Sequence, residues 1–260
     1  MVRLLVKKTE RFREEEEINY KQAYRFVKME KRKEDIRVSA KVWRELGTML
    51  QHIPQTGDHM GTCNWGFSSE AMKRYHDEEW GVPLHDDRKQ FEFLMMEAMQ
   101  CGLSWDLMIK KREIFRTCFD DFDYDRIAVY TDRDIERIMD AEGMIRSRRK
   151  IEAVISNARH FQEIREEFGS FCAWLWAYSD GKTILYTGHN DGDIPVSNGL
   201  SEKIAKELKR RGFKYLGPVT VYSHLQACGM INDHDRNCDC YKRIVSQYPT
   251  IQKRRFKEKR

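Results

Sequence analysis

Between residues 86 and 102, apolar side chains occupy nearly every face of a 3.6-residue period: Phe91, Phe93, Leu94, Met95, Met96, Ala98 and Met99. That pattern predicts a buried helix. A second helix is predicted after Thr131, with Ile135, Ile138 and Met139 as its apolar stripe and Gly143 as the left-handed residue that ends it. Ser147 stands where it can cap a third, whose buried face recurs as Ile151, Val154, Ile155, Ala158, Phe161 and Ile164. These two make a tight helical hairpin. Residues 200–211 form another amphipathic helix, with Leu200, Ile204 and Leu208 on one side and Gly212 as its stop. Strand signals are sparse: residues 182–186 alternate weakly between Gly181 and a loop-like stretch at 188–199, which predicts at most a local hairpin. No internal repeat is visible, and the expected fold class is all-α.

Charge divides the chain differently. Residues 1–60 mix acidic and basic runs, carry a net +4 and end in a turn-rich stretch, as expected of a charged, partly helical extension and linker. Residues 249–260 carry +5 and read as a basic tail, which leaves −4 for the domain expected at 61–248. The domain is therefore not a globally basic body, and any contact with nucleic acid must come from local patches. The longest apolar run, residues 171–178, falls far short of the roughly 18 to 20 residues a membrane span needs. Leu4-Leu5-Val6 is too short for a secretory signal. Seven cysteines in an irregular, odd set argue against a disulfide framework and for a reducing compartment. A cytoplasmic location is expected.

Those thiols are then free to act as ligands. Cys63 and His76 open the domain and His234 and Cys238 lie near its end, two pairs that suit a tetrahedral zinc ion; Cys228 and Cys240 are rival ligands. With four protein ligands there is no position for a catalytic water, so one zinc of this kind would be structural. Glu97 lies within the apolar run of the first predicted helix, where a carboxylate needs either a cavity or a partner such as Lys110, Lys111 or Arg112. The turn at Gly143 brings Arg146, Arg148, Arg149 and Lys150 to a helix N-terminus, which suits a DNA phosphate but also fits a capped turn with solvated charges. Trp174 and Trp176 read as core.

Three segments carry a resemblance: Tyr75-His76-Asp77-Glu78-Glu79-Trp80-Gly81-Val82-Pro83, then Gly102-Leu103-Ser104-Trp105, then Gln226-Ala227-Cys228-Gly229 with Asn232-Asp233-His234. In sequence and in order they resemble the constitutive (type I) 3-methyladenine DNA glycosylases, over roughly two thirds of the chain, from about Cys63 to Tyr241. The resemblance implies a fold of the helix-hairpin-helix glycosylase superfamily and hydrolysis of the N-glycosidic bond to 3-methyladenine in base excision repair. Its zinc ligands fall on Cys63, His76, His234 and Cys238. It also implies that Glu97 accepts hydrogen bonds from the extruded base, that Trp105 stacks on it, and that Tyr75 and Trp65 complete the wall. Gly143, Arg146, Arg148 and Lys150 would hold the DNA.

The base already carries a positive charge and leaves readily, so water would attack the sugar with Glu97 stabilising the developing charge. The family lacks the superfamily's catalytic aspartate, and here the second hairpin helix runs into Asn157 and His160. No lysine nucleophile is implied, so a monofunctional enzyme is expected. It would act on double-stranded alkylated DNA as a monomer, without an organic cofactor. Met72 stands where a pocket tyrosine is common, and Ala98, Met99 and Cys101 depart from the family around the acid, which opens the range of alkylated bases. Residues 1–60 have no counterpart in the family. The rival reading is a non-enzymatic zinc protein that senses alkylated DNA.

Overall fold

A short 3-10 turn, Asn64–Phe67, leads into α1, Glu70–Glu78, which begins where the Ser69 hydroxyl accepts from the Met72 N–H. The computed structural model describes residues 61–254, so the extension expected at 1–60 and positions 255–260 lie outside the described residues. Next comes α2, Asp87–Gln100, capped by Asp86 and buried at every position from Gln90 to Met99, as its all-round apolar pattern requires. Its first residue serves a second helix: the Asp87 carboxylate accepts from the N–H groups of Phe171 and Cys172 at distances of 2.9 and 2.8 Å. Those are donors that a helix start leaves unpaired. They belong to the helix Phe171–Trp176.

After α2 the chain turns through Gly102 into α3, Trp105–Lys110, capped by Ser104, and α4, Arg112–Cys118, then the short α5, Tyr124–Ile127. Helix α6, Asp132–Asp140, starts at Thr131 as expected, with the Asp134 carboxylate accepting from the Thr131 N–H (2.9 Å) and hydroxyl (3.0 Å). A turn through Gly143, whose φ is 76°, connects it to the 21-residue α7, Arg148–Phe168. Ser147 is the N-cap residue there, but its hydroxyl makes no cap bond; its carbonyl accepts from Lys150 and Ile151 instead. The first-turn N–H groups of Arg148 and Arg149 have no carbonyl to reach within the helix.

Helix α8, Phe171–Trp176, is followed by strand β1, Thr183–Tyr186. Then come α9, Gly199–Arg210, capped by Asn198, α10, Pro218–Ala227, α11, Asp239–Gln247, and β2, Thr250–Lys253. The strand is a correction to the local hairpin expected at 182–186. Thr183 to Tyr186 pair in parallel with Thr250 to Lys253, inside the segment read from its charge as a tail. All four β1 residues are buried, which is why alternation was weak. Among the described residues the fold is otherwise helical, and no helix is long and apolar enough to cross a membrane.

The core is built on α2 and α7. Phe91 meets Phe161 at 5.1 Å between ring centroids, and Phe161 stacks on Phe171 at 4.3 Å. Leu175, Ile204, Leu208, Tyr222 and Leu225 pack on from α8, α9 and α10. Trp174 and Trp176 are buried there, as expected. One backbone contact joins two of the sequence segments singled out above: a Cβ on Gly229, whose φ is 75°, would lie 2.4 Å from the Val82 carbonyl carbon and 2.5 Å from the Pro83 nitrogen. Only glycine allows that approach.

Candidate active site and metal centre

The two distant pairs of ligands meet. Sγ of Cys63 and Cys238, Nε2 of His76 and Nδ1 of His234 all lie within 4.8 Å of one another, and all four residues are buried. His234 Nδ1 is 3.4 Å from Cys63 Sγ and 3.6 Å from Cys238 Sγ, and His76 Nε2 is 3.7 Å from Cys238 Sγ. A tetrahedral ion with bonds of about 2.3 Å to sulfur and about 2.05 Å to nitrogen has sulfur–nitrogen edges of about 3.5 Å. The donor set therefore fits a metal ion without rearrangement.

The far side of each imidazole fixes which nitrogen faces inward. His234 Nε2 donates to the Trp80 carbonyl (2.9 Å) and His76 Nδ1 donates to Asp77 (2.7 Å), so the opposite nitrogens present lone pairs to the centre. The loop that carries His234 is pinned as well. Asp233 accepts from Tyr222 Oη (2.5 Å), Gln226 Nε2 (2.8 Å) and His189 Nδ1 (2.9 Å), and Asn190 donates to the carbonyls of Asn232 and His234. Of the rival ligands, Cys228 lies outside the cluster with its thiol on the Leu225 carbonyl. Cys240 faces the carbonyls of His76 and Asp77.

An aromatic cluster borders this centre, and its Tyr75 feels the charge of Glu97. Trp105 opens α3 and its ring lies 5.6 Å from Tyr75; Tyr75 lies 6.3 Å from Trp65. Trp65 contacts the rings of His76 at 5.0 Å and Trp80 at 4.9 Å. The sequence pattern gave no site role to Trp80, which spans from this cluster to His234 at 4.5 Å, or to Phe93, which packs on Tyr75 at 6.2 Å. An alternation of motif aromatics with ligands was the signal available for Trp80.

Glu97 is 5 % exposed and has no hydrogen-bond or ion-pair partner among the described residues; burial alone pushes its carboxyl up to about 8. The cations offered by the sequence are used elsewhere. Arg112 binds Glu79 and Glu92 and lies over the Phe93 ring, Lys110 pairs with Asp106, and Lys111 donates to the Gly143 carbonyl. Tyr75 senses the acid's charge and is itself pushed upward, first by burial and then by Glu97. Met72 is buried on α1, one turn ahead of Tyr75. Ala98 and Met99 belong to the main core, and Cys101 is exposed.

The four cations after Gly143 divide into two kinds. Arg146 and Arg149 are exposed and make no ion pair or hydrogen bond among the described residues. Arg148 is held by Glu136, Asp132 and Glu152, and Lys150 donates to the carbonyls of Met99 and Cys101. Elsewhere a groove of about 730 Å³, lined by Phe168, Trp174, Tyr178, Leu200 and Lys203 among others, shares no residue with the aromatic cluster around Tyr75.

Residues 65–242 match the methyladenine glycosylase family. The chain belongs to that family. It is 39 % identical over 182 residues to DNA-3-methyladenine glycosylase 1 of Escherichia coli, covering 70 % of this chain and 97 % of the relative. Among solved structures, a 3-methyladenine DNA glycosylase I is 43 % identical with a TM-score of 0.66, covering 69 % of this chain and 98 % of the other. Another, a tyrosine-to-phenylalanine variant of 3-methyladenine DNA glycosylase I bound to 3-methyladenine, is 35 % identical with a TM-score of 0.64 over 68 % of this chain and 95 % of the other. The segments that led to the resemblance lie within the matched region, and residues 1–64 fall outside it.

Proposed function

We propose that this chain is a monofunctional DNA glycosylase that hydrolyses the N-glycosidic bond of 3-methyladenine in alkylated duplex DNA, and that zinc fills its four-ligand centre. The observation that carries the reading is Glu97: an acid buried without a partner, whose charge is felt at Tyr75, with the rings of Trp105 and Trp65 packed around that tyrosine. A carboxyl held this way costs stability, and it is retained where a ligand supplies what the fold withholds.

An extruded 3-methyladenine is flat and cationic. Trp105 would stack on it, with Tyr75 and Trp65 closing the wall, and Glu97 would accept from its edge while its negative charge faces the cation. The bond between base nitrogen and sugar carbon then breaks with its electron pair passing to the base, which leaves neutral. Water adds its oxygen to the sugar carbon and releases a proton to solvent. Glu97 holds the positive charge that develops on the sugar, and the departing base needs no separate acid. Met72 ahead of Tyr75 would set how large an alkylated base fits.

Zinc with two thiolates and two imidazoles is full, so its contribution is structural: it ties the start of the domain to its end. DNA would be held at the helix-hairpin-helix turn, where Gly143 makes the bend, the free N–H groups open α7, and Arg146 and Arg149 stand unpaired. Arg148 is held there by acids.

The test is release of free base. Metal-loaded protein incubated with N-methylated duplex is expected to yield free 3-methyladenine and an intact strand with an abasic site. Binding without release would instead favour a sensor of damage.

A further inference from the structure

Lys150 lies in the first turn of α7, on the hairpin, yet its ammonium turns onto the end of α2. It donates to the carbonyl oxygens of Met99 at 2.8 Å and Cys101 at 2.7 Å. Both carbonyls lie at the C-terminal end of α2, where the last carbonyls lack intrahelical partners and the helix dipole is negative. Cys101 follows Glu97 by four residues and precedes Trp105 by four. The lysine therefore grips the turn that lies between the two groups. From the opposite direction, Lys111, between α3 and α4, donates to the carbonyl of Gly143 in the hairpin. Neither lysine makes an ion pair among the described residues.

We propose that Lys150 is a positioning residue: it fixes the turn between α2 and α3, sets the spacing of Glu97 and Trp105 across the base, and so ties the seating of the hairpin on DNA to the shape of the pocket. The proposal rests on the reading of Glu97 and Trp105 as pocket groups. A phosphate contact is the competing role for such a lysine, and the geometry disfavours it. Two of its three N–H groups are committed to carbonyls, and swinging outward would give up both bonds and leave the part-buried Met99 carbonyl without this donor. Arg146 and Arg149 on the same hairpin are free to meet phosphate without that loss.

Lys150→Met keeps the length of the side chain and removes the ammonium. Two readouts separate the roles: the dissociation constant for free 3-methyladenine without DNA, followed by tryptophan fluorescence, and duplex affinity as a function of salt. Loss of the two charge-assisted hydrogen bonds is expected to weaken free-base binding by roughly tenfold or more. The slope of log affinity against log salt should stay parental, and Lys150→Arg should recover part of the loss. Parental free-base binding in Lys150→Met overturns the proposal, and a salt slope shallower by about one beside it assigns the residue to a phosphate. Should Lys150→Met fail to fold, Lys150→Gln carries the same two measurements. If the parent and Glu97→Gln bind free base equally well, the pocket reading fails, and the positioning role with it.

Discussion

Glu92 and Glu97 lie five residues apart on α2, one 6 % and the other 5 % exposed, and the fold treats them in opposite ways. Burial pushes both carboxyls up. At Glu92 the hydrogen bonds and charges of Arg112 and Arg116 outweigh burial and hold the group below its ordinary range. At Glu97, about 140° further round the helix, nothing opposes burial and the group rises to about 8. The partnered acid holds α2 to α4, whereas the unpartnered one makes its charge felt at Tyr75. A third arrangement is the group of two thiols and two imidazoles, buried and close enough together to hold a metal ion. Completeness of partners thus separates scaffold from site within a few residues.

Removing the cation should have the largest effect. Structural zinc in small domains is bound with about 10 to 16 kcal/mol, as much as the whole stability of most domains. Cys63→Ala or His234→Ala, or prolonged chelation, should therefore yield a chain that no longer unfolds cooperatively, read by circular dichroism on heating. A metal-free preparation with undiminished thermal stability would remove the clip. Next in size, Arg112→Met should strand Glu92 and cost about 3 kcal/mol in chemical denaturation. A neutral outcome would mean that Arg116 alone satisfies the acid and that the contrast on α2 is weaker than drawn.

The sign of the Glu97 shift gives a pH dependence. Its folded value lies above the unfolded one, so as pH rises from the ordinary carboxylate range toward 8 the native state loses stability, and Glu97→Gln should remove that loss. The variant should melt a few degrees above the parent at about pH 8 and alike near pH 4. For the parent, kcat/KM should rise with pH through about 8 as the acid ionises, while kcat flattens earlier because a bound cationic base favours the carboxylate. A flat kcat/KM from about pH 6 to 9 would contradict the unpartnered state. The smallest effect belongs to the hairpin. Arg146→Ala should weaken duplex binding several-fold and make the salt slope shallower by about one, and Arg148→Ala less so, because its charge is already answered by three carboxylates. Equal losses would mean that Arg148 leaves its acids for phosphate.

The helices and their capping residues were legible because each signal is local: Thr131 opens α6 and Ile151, Val154 and Ala158 are core. That Cys63, His76, His234 and Cys238 come together was expected from the two pairs and from the resemblance, and the structure adds the inward nitrogen of each imidazole. Strand pairing escaped because β1 is buried on all positions and its partner lies 67 residues on, inside a run of positive charge. Partner choice escaped for the same reason of distance. Nothing near Glu97 in sequence says that Arg112 goes to Glu79 and Glu92, or that Lys150 turns onto two carbonyls at the end of α2.

Single-turnover release of free 3-methyladenine at saturating duplex, parent against Glu97→Gln, tests the central claim most directly. The amide variant is expected to stay folded and metal-loaded, bind duplex with nearly parental affinity and salt slope, and release base at least about a hundredfold more slowly, because the carboxylate charge that stabilises the cationic transition state is lost. Release at the parental rate by Glu97→Gln would contradict that claim.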